Sequence, residues 1–351
     1  MGNFQFTFFR NGYFAVDYFF LLSGLLMAKH TYSLLNKTDQ HTSVSTGEET
    51  VIYIWNRIKQ LYPYYLPASL IMLGGYILLH RNPVLILGRI PSLFPVMQMT
   101  GAFQPEGLIG VAWYLSSMLI AMAIIYPVCK RYYRTYTTLI APVLGILIAG
   151  ALIHETGHLA NATQWILFSY KGNFRAFAEI GLGTTCYEVS RRIAGYTFNR
   201  IQKAAFSVLG TVCYFSAILY FVSPLDKELH GVMLCVHCIA LIISFSGIGL
   251  LSEKQIFQKR WIMYLGELSL PLYLFQDVAR AVVPVMMKKS SGELKAAGIL
   301  TVTFILSITA NVAVVFLKKV LTKRRVLKSR CHKDEKSSSY RGDIDDRCGP
   351  D

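Results

Sequence analysis

The sequence predicts an all-α protein, a polytopic membrane helical bundle of about nine transmembrane helices with one interfacial or re-entrant segment. Apolar residues make up 53% of the 351 residues and charged residues only 16%, whereas soluble domains carry about a quarter of charged residues. Apolar stretches close to the roughly 20 residues that a helix needs to cross the hydrocarbon recur along the whole chain. The predicted spans are residues 13–29, 61–80, 112–129, 136–153, 174–190, 204–222, 232–251, 262–285 and 297–317.

Two stretches depart from this pattern. The apolar stretch from Pro83 to Met99 is interrupted by Pro91 and Pro95, and proline disrupts a helix interior, so we predict an interfacial or re-entrant segment there. The last residues, 321–351, are basic and polar, a composition typical of disorder. We therefore predict a membrane domain over residues 1–320 and a disordered cytoplasmic tail after it.

The basic residues alternate along the chain, and this alternation predicts the topology. The net charge of +15 is compatible with nucleic acid binding, but lysine and arginine concentrate after the first, third, fifth, seventh and ninth spans. This distribution is the positive-inside pattern. It predicts a multi-pass protein of the plasma (inner) membrane with a cytoplasmic C-terminus and an outside N-terminus, surrounded by lipid and without a nucleic acid partner. Because such an N-terminus is unusual directly before a span, we expect one further span upstream of Met1.

The first span contains a carboxylate, Asp17, which is followed by Ser23 and Gly24. An ionised group at bilayer depth costs several kcal/mol unless it is paired, so buried carboxylates in spans are mainly functional or bonded to a neighbour. Asp17 and Gly24 are seven residues apart and share a helix face. This face either packs closely against another helix or contributes Asp17 to a site.

Arg57 and Lys59 lie on the predicted cytoplasmic side, just before Tyr62 and the second span. One interpretation is anchoring to anionic headgroups, which contributes about 1 kcal/mol per basic residue. The other is a site for the phosphates of a cytosolic nucleotide-like donor, because arginine offers a planar fork and lysine a point charge.

The third span begins with Trp113, Ser116 and Ser117, which lie on one helix face. Serine hydroxyls in spans often only bond to the carbonyl four residues earlier, so this pattern is weak by itself. Arg175 and Glu179 are four residues apart near the predicted outer end of the fifth span. They form either a structural ion pair or the polar lining of an acceptor pocket, because a charged pair within the membrane is costly unless it is satisfied.

The eighth span carries a polar stripe of Ser269, Tyr273, Gln276 and Arg280. Such a stripe is too costly to face lipid, so it predicts a cavity or the bundle interior. A different motif, His154-Glu155-Thr156-Gly157-His158, fits the H-E-x-x-H pattern in which two histidines on one helix face bind zinc. The sequence offers no clear third ligand, so an intramembrane zinc protease is the weaker interpretation and no metal is expected.

Four segments, taken in order, resemble the acyltransferase 3 family of integral-membrane enzymes. Gly12 to Leu26 resembles its G-x-x-G-V-D-x-F-F-x-x-S-G-F-L block, and Arg57 to Tyr65 resembles its R-x-x-R-I-x-P-x-Y block. Trp113 to Pro127 resembles its W-x-L…Y-P span, and Leu265 to Leu274 resembles its L-G-x-x-S-x-x-x-Y-L block. The resemblance covers residues 12–317.

The resemblance implies transfer of an acyl group from acyl-CoA, with acetyl-CoA the expected donor, to a hydroxyl of a surface polysaccharide or lipid-linked glycan. Family members begin with one more span, which carries the histidine held to be the catalytic base. The chain is therefore expected to be N-terminally incomplete, and inactive if the protein lacks that helix. It also departs from the family at Gln60, Met118 and Gln276, where arginine, an acidic residue and histidine are common.

The resemblance also suggests a role for each candidate. The residues expected to bind acyl-CoA are Arg57, Lys59 and Tyr62. The catalytic candidates, among which the base is not identified, are Asp17, Ser116, Ser117 and Gln276. The candidates for substrate binding are Trp113, Arg175, Glu179 and Tyr273. The alternative from another class is a transporter or flippase for an envelope lipid or sugar, although no internal symmetry is evident. The oligomeric state stays open.

Overall fold

The computed structural model describes residues 14–36, 45–79, 83–103, 107–223, 229–249 and 259–345, with the side chains of 79, 83 and 321–345 excepted. Predicted span residues 13, 80, 250 and 251 lie outside these ranges. Among the described residues, the regular secondary structure is helical apart from one short hairpin, β1 (Trp165–Ile166) with β2 (Ser169–Tyr170). The helices are α1 (Ala15–Leu35), α2 (Thr46–Leu79), α3 (Pro83–Arg89), α4 (Trp113–Arg131), α5 (Tyr133–Thr135), α6 (Ala141–Thr156), α7 (Lys171–Ile193), α8 (Arg200–Val222), α9 (His230–Ser246), α10 (Arg260–Met286) and α11 (Gly292–Asp345).

The predicted all-α membrane bundle is confirmed, since every predicted span falls on a helix. Six segments of the described chain are long and apolar enough to cross a membrane; they are Thr46–Leu78, Gly110–Arg131, Tyr133–Thr156, Arg200–Val222, Arg260–Met286 and Gly292–Val320. The other three predicted spans coincide with α1, α7 and α9. The count of nine spans remains a prediction.

The entry helix and the second span, which the sequence suggests as separate pieces, form one helix. α2 has 34 residues and contains Pro63 and Pro67. At 1.5 Å per residue it is about 51 Å long, well beyond the roughly 30 Å of hydrocarbon. Part of α2 therefore extends beyond the membrane core. At the other end of the chain, α11 continues past residue 320, so the predicted tail boundary is not a helix end; the disorder of that tail remains a prediction.

The proline-containing stretch after α2 does not form a continuous helix. α3 is followed by 3-10 turns at Ile90–Leu93 and Met97–Met99, and the backbone is extended at Phe94 between them. The hydroxyl of Tyr65 in α2 donates to the Ser92 carbonyl and so fastens this stretch to the bundle. The break in the helix matches the sequence prediction, because proline removes a donor and clashes with the preceding turn.

Helices α1 and α7 approach each other so closely that their backbones touch. A Cβ atom placed on Gly24 would collide with the Ile180 carbonyl, and one on Gly183 would collide with the Leu21 carbonyl. Small residues permit this kind of approach between membrane helices. The contact holds Asp17 of α1 directly against Arg175 of α7.

Basic side chains collect at one end of the bundle. Lys130 at the end of α4 forms an ion pair with Glu49 at the start of α2. Arg191 at the end of α7 donates to the Tyr32 hydroxyl of α1 at 3.1 Å and to Glu188 at 2.8 Å. These contacts bring the ends of α1, α4 and α7 and the start of α2 together, which fits the charge alternation of the sequence. The side of the membrane that this end faces remains a prediction.

Candidate functional site

A buried ion cluster joins α1 to α7. The Nε atom of Arg175 donates to Asp17 Oδ1 at 2.6 Å and to Glu179 Oε1 at 3.0 Å. All three side chains are at most 1% exposed. The Arg175 guanidinium also lies over the ring of Trp113, 5.7 Å from its centroid. Four of the predicted site residues therefore form one cluster, in which both carboxyl groups contact the same guanidinium.

The cluster has one cation for two carboxyl groups. Asp17 Oδ2 and Glu179 Oε2 are buried and find no hydrogen-bond partner among the described residues. Uncompensated buried charge is costly, so the arrangement depends on the guanidinium that touches both carboxyl groups. We therefore expect the ion cluster of Asp17, Arg175 and Glu179 to act as a structural frame that joins α1 to α7. The catalytic role of Asp17 and the substrate contacts of Arg175 and Glu179 remain predictions.

The loop after α6 is fixed to α7. Arg175 Nη1 donates to the Leu159 carbonyl at 3.3 Å, and Leu159 N donates to His230 Nδ1 at 3.0 Å. The fully buried Lys171 donates to Thr156 Oγ1 at 2.5 Å and lies 3.2 Å from His158 Nδ1. These contacts order the loop between α6 and the hairpin.

The same loop removes the geometry that the H-E-x-x-H interpretation needs. α6 ends at Thr156, and Gly157 adopts a left-handed conformation with φ of 71°. His154 and His158 are consequently not one helical turn apart on a common face. Over the described ranges, no group of three or more His, Cys, Asp or Glu side chains converges as metal ligands do.

Ser116 and Ser117 fasten the segment between α3 and α4 to the bundle. Ser116 Oγ donates to the Val96 carbonyl at 2.6 Å and accepts from Met99 N at 3.0 Å. Ser117 Oγ donates to Asn173 Oδ1 at 2.8 Å, and Asn173 Nδ2 donates to the Met99 carbonyl at 2.8 Å. Both serines are fully buried. Their hydroxyl protons are committed to these bonds, and a catalytic role for either remains a prediction.

A cavity of about 200 Å³ lies between α1, α2, α4 and α10. Most of its wall is apolar, and its polar lining residues are Ser23, Arg57, Gln60, Tyr114, Ser269 and Tyr273. The lining residues are Phe19, Ser23, Leu26, Arg57, Gln60, Leu61, Tyr114, Leu115, Met118, Met122, Ser269, Leu270 and Tyr273. Of the predicted site residues, Arg57 and Tyr273 line this cavity, whereas the ion cluster and the two serines lie outside it.

Arg57 carries the charge of this cavity. Its guanidinium donates only to neutral acceptors, the Tyr53 hydroxyl at 3.2 and 3.3 Å and Gln60 Oε1 at 3.5 Å. Within the described part of the chain, no carboxylate forms an ion pair with it. Arg57 is half-buried, so its charge is available to an anion that enters from the basic end.

The remaining candidates lie away from this cavity. Lys59 is exposed on another face of α2, with its ammonium 5.5 Å from the centre of the Trp55 ring. Tyr62 packs against the core, and Gln276 is half-buried on α10. None of the three is among the lining residues. Their roles in donor binding and catalysis remain predictions.

Three lining residues with hydroxyl groups, Ser23, Tyr114 and Tyr273, lie next to one another. Tyr273 donates to the Val111 carbonyl at 2.7 Å, while the hydroxyls of Tyr114 and Ser23 are 3.3 Å apart. The Tyr114 ring packs on Phe20 with centroids 4.7 Å apart. Sequence reasoning missed Tyr114 because its neighbours Trp113, Ser116 and Ser117 define the helix-face pattern, and the hydroxyl's surroundings depend on α1 and α10.

Comparison with known proteins gives one family. The family model described as an acyltransferase domain matches residues 1–318, which include every element that lines the cavity or forms the ion cluster. No curated protein and no solved structure matches the chain significantly.

Proposed function

Because this chain belongs to the acyltransferase 3 family, we propose that it transfers an acyl group from acyl-CoA to a hydroxyl of a surface polysaccharide or lipid-linked glycan. The family and the apolar helices make it a multi-pass membrane acyltransferase in general terms. The donor, the acceptor and the reaction of this particular chain are our proposal.

The observation that carries the proposal is Arg57, which has no carboxylate partner among the described residues and lines an apolar cavity. A CoA thioester combines phosphates with a largely uncharged arm that ends in the acyl group. Arg57 offers a guanidinium fork for a phosphate, and the apolar wall of the cavity suits the arm. The residues present therefore fit this donor, with Arg57 as the phosphate contact.

The donor supplies an activated carbonyl, which the hydroxyl of the acceptor attacks. The chain must hold that carbonyl in place, exclude water and provide hydrogen-bond donors for the negative charge that develops on its oxygen. The part of the cavity that is lined by Ser23, Tyr114 and Tyr273 is the region suited to this task.

The experiment is transfer of a radiolabelled acetyl group by the purified full chain in proteoliposomes. Labelled acetyl-CoA is supplied with a lipid-linked glycan extract, and label in the glycan fraction is counted. We expect label that stays with the glycan after its lipid has been removed. Mild alkali should release this label, because it hydrolyses esters. A palmitoyl-CoA reaction serves as the donor control.

Two outcomes contradict the proposal. Absence of acyl turnover together with uptake of the glycan lipid across the bilayer would favour the transporter alternative. Turnover that is the same in Arg57→Ala as in wild type at limiting donor would remove the assignment of Arg57 as the phosphate contact.

A further inference from the structure

We infer that Tyr114 is a catalytic residue whose hydroxyl donates a hydrogen bond to the thioester carbonyl of the acyl donor. This inference rests on the proposed function and adds a named group to it. Tyr114 and Tyr273 both line the cavity and their rings are in contact, but their hydroxyl groups differ in what they already bind.

The hydroxyl proton of Tyr273 is already used in a hydrogen bond. Its hydroxyl donates to the Val111 carbonyl at 2.7 Å, which is the ideal length for a bond of this type. Asp277 holds the same turn, since its Oδ2 accepts from Val111 N at 2.9 Å. A hydroxyl has a single proton to donate, so Tyr273 serves the junction between α10 and the start of α4.

The hydroxyl of Tyr114 is only weakly engaged. Its contact is with Ser23 Oγ at 3.3 Å, and Ser23 also donates to Met118 Sδ at 3.4 Å. The 3.3 Å between the two hydroxyl oxygens is long for a hydrogen bond of this type, so a carbonyl oxygen could replace Ser23 as the partner of Tyr114 at small cost. Of the Tyr114 and Tyr273 hydroxyl groups, that of Tyr114 is thus the one able to donate a hydrogen bond to a ligand.

The position of this hydroxyl is well defined. Its ring packs between Phe20, with centroids 4.7 Å apart, and Tyr273, with centroids 5.7 Å apart. The preceding residue, Trp113, packs its ring against the Arg175 guanidinium of the ion cluster. Tyr114 therefore lies between the cavity and the ion cluster. A hydrogen-bond donor that is already in position needs little reorganisation during the reaction.

Tyr114 is not consumed in the proposed reaction. The acceptor hydroxyl oxygen forms a bond to the carbonyl carbon, and the bond from that carbon to the CoA sulfur breaks. The acceptor's proton ends on the departing sulfur, which leaves as the thiol. Tyr114 keeps its own proton and donates a stronger hydrogen bond while negative charge resides on the carbonyl oxygen.

The test compares Tyr114→Phe with Tyr126→Phe in the full chain. Tyr126 is a buried tyrosine of the same helix that lies outside the cavity lining, so it controls for loss of any buried hydroxyl. Loss of one such donor costs about 100-fold to 1,000-fold in kcat in other enzymes. We expect a kcat decrease in this range for Tyr114→Phe, an unchanged KM for acetyl-CoA, and a kcat near wild type for Tyr126→Phe.

A second readout requires no turnover. Acetyl-CoA labelled with ¹³C at the carbonyl is bound without acceptor, and its carbonyl stretch is recorded by infrared difference spectroscopy. A hydrogen bond lowers this frequency, so the band should lie lower in wild type than in Tyr114→Phe. Equal frequencies, or equal kcat values for an active wild type and Tyr114→Phe, would overturn the inference alone. A wild type without transfer would overturn the proposed function as well.

Discussion

Arg175 and Arg57 are two arginines of one bundle with opposite surroundings. Arg175 is 1% exposed and contacts two carboxyl groups, a backbone carbonyl and an indole ring. Arg57 is half-buried, and its contacts are a phenol and an amide. The partners of each arginine, more than its burial, therefore distinguish the structural ion cluster from the candidate binding site. Substitutions in the two surroundings should therefore have different effects, on stability around Arg175 and on ligand binding around Arg57.

Replacing Arg175 should damage the frame most. Arg175→Met leaves two carboxyl groups buried without their cation, and breaking a buried ion pair costs about 3–5 kcal/mol. We expect a matching loss in the free energy of unfolding, measured by denaturation in detergent. The triple variant Asp17→Asn, Arg175→Met, Glu179→Gln removes all the charges and should recover part of the loss. Wild-type stability in Arg175→Met would contradict the assignment of the cluster to the frame.

Replacing Arg57 should instead affect a ligand. A hydrogen bond to a charged group contributes about 1.5–3 kcal/mol, so Arg57→Ala should weaken acetyl-CoA binding by about 10-fold to 100-fold. Its free energy of unfolding should stay within about 0.5 kcal/mol of wild type. Equilibrium binding of labelled acetyl-CoA measures the effect. Lys59→Ala, on another face of α2, is the matched control and should change affinity less; the reverse order would refute the role of Arg57.

The contact between α1 and α7 should be sensitive to a single methyl group. Gly24→Ala places a Cβ against the Ile180 carbonyl, and such overpacking costs about 1–3 kcal/mol. Gly74→Ala is the control, because a Cβ there meets nothing within 4 Å. Alanine should raise stability at that position by about 0.5–1 kcal/mol, since glycine loses more freedom in a helix. Equal thermal stability of the two variants would show that the close approach is wrong.

Replacing Ser117 should have the smallest effect on stability, and it distinguishes a structural role of this serine from a catalytic one. Ser117→Ala removes one hydrogen bond to Asn173, which contributes about 0.5–1.5 kcal/mol. We expect the unfolding transition to shift by that amount. A large loss of kcat with an unchanged unfolding transition would instead support the catalytic role that the sequence suggests.

The sequence predicts the helical bundle well because apolar spans and basic loops are local signals. It also marks Asp17, Arg175 and Glu179 as costly charges within spans. It does not show that Asp17 pairs with Arg175, because that contact depends on Gly24 and Gly183 bringing distant segments together.

The site is less predictable than the fold for the same reason. The H-E-x-x-H pattern is misleading because Gly157 ends the helix between its histidines. Ser116 and Ser117 form a pattern on one helix, but their partners come from the segment before α4 and from α7. The availability of the Tyr114 proton depends on distances to α1, which no spacing in the sequence contains.

The most direct test of the central claim is to fill the cavity and measure acyl-CoA binding. Leu270→Trp enlarges a lining residue of α10, and Leu265→Trp enlarges a residue on the same helix that is 52% exposed and outside the lining. Equilibrium binding of labelled acetyl-CoA should be lost in Leu270→Trp and retained in Leu265→Trp, with both variants folded. Wild-type affinity in a folded Leu270→Trp would show that the donor binds elsewhere.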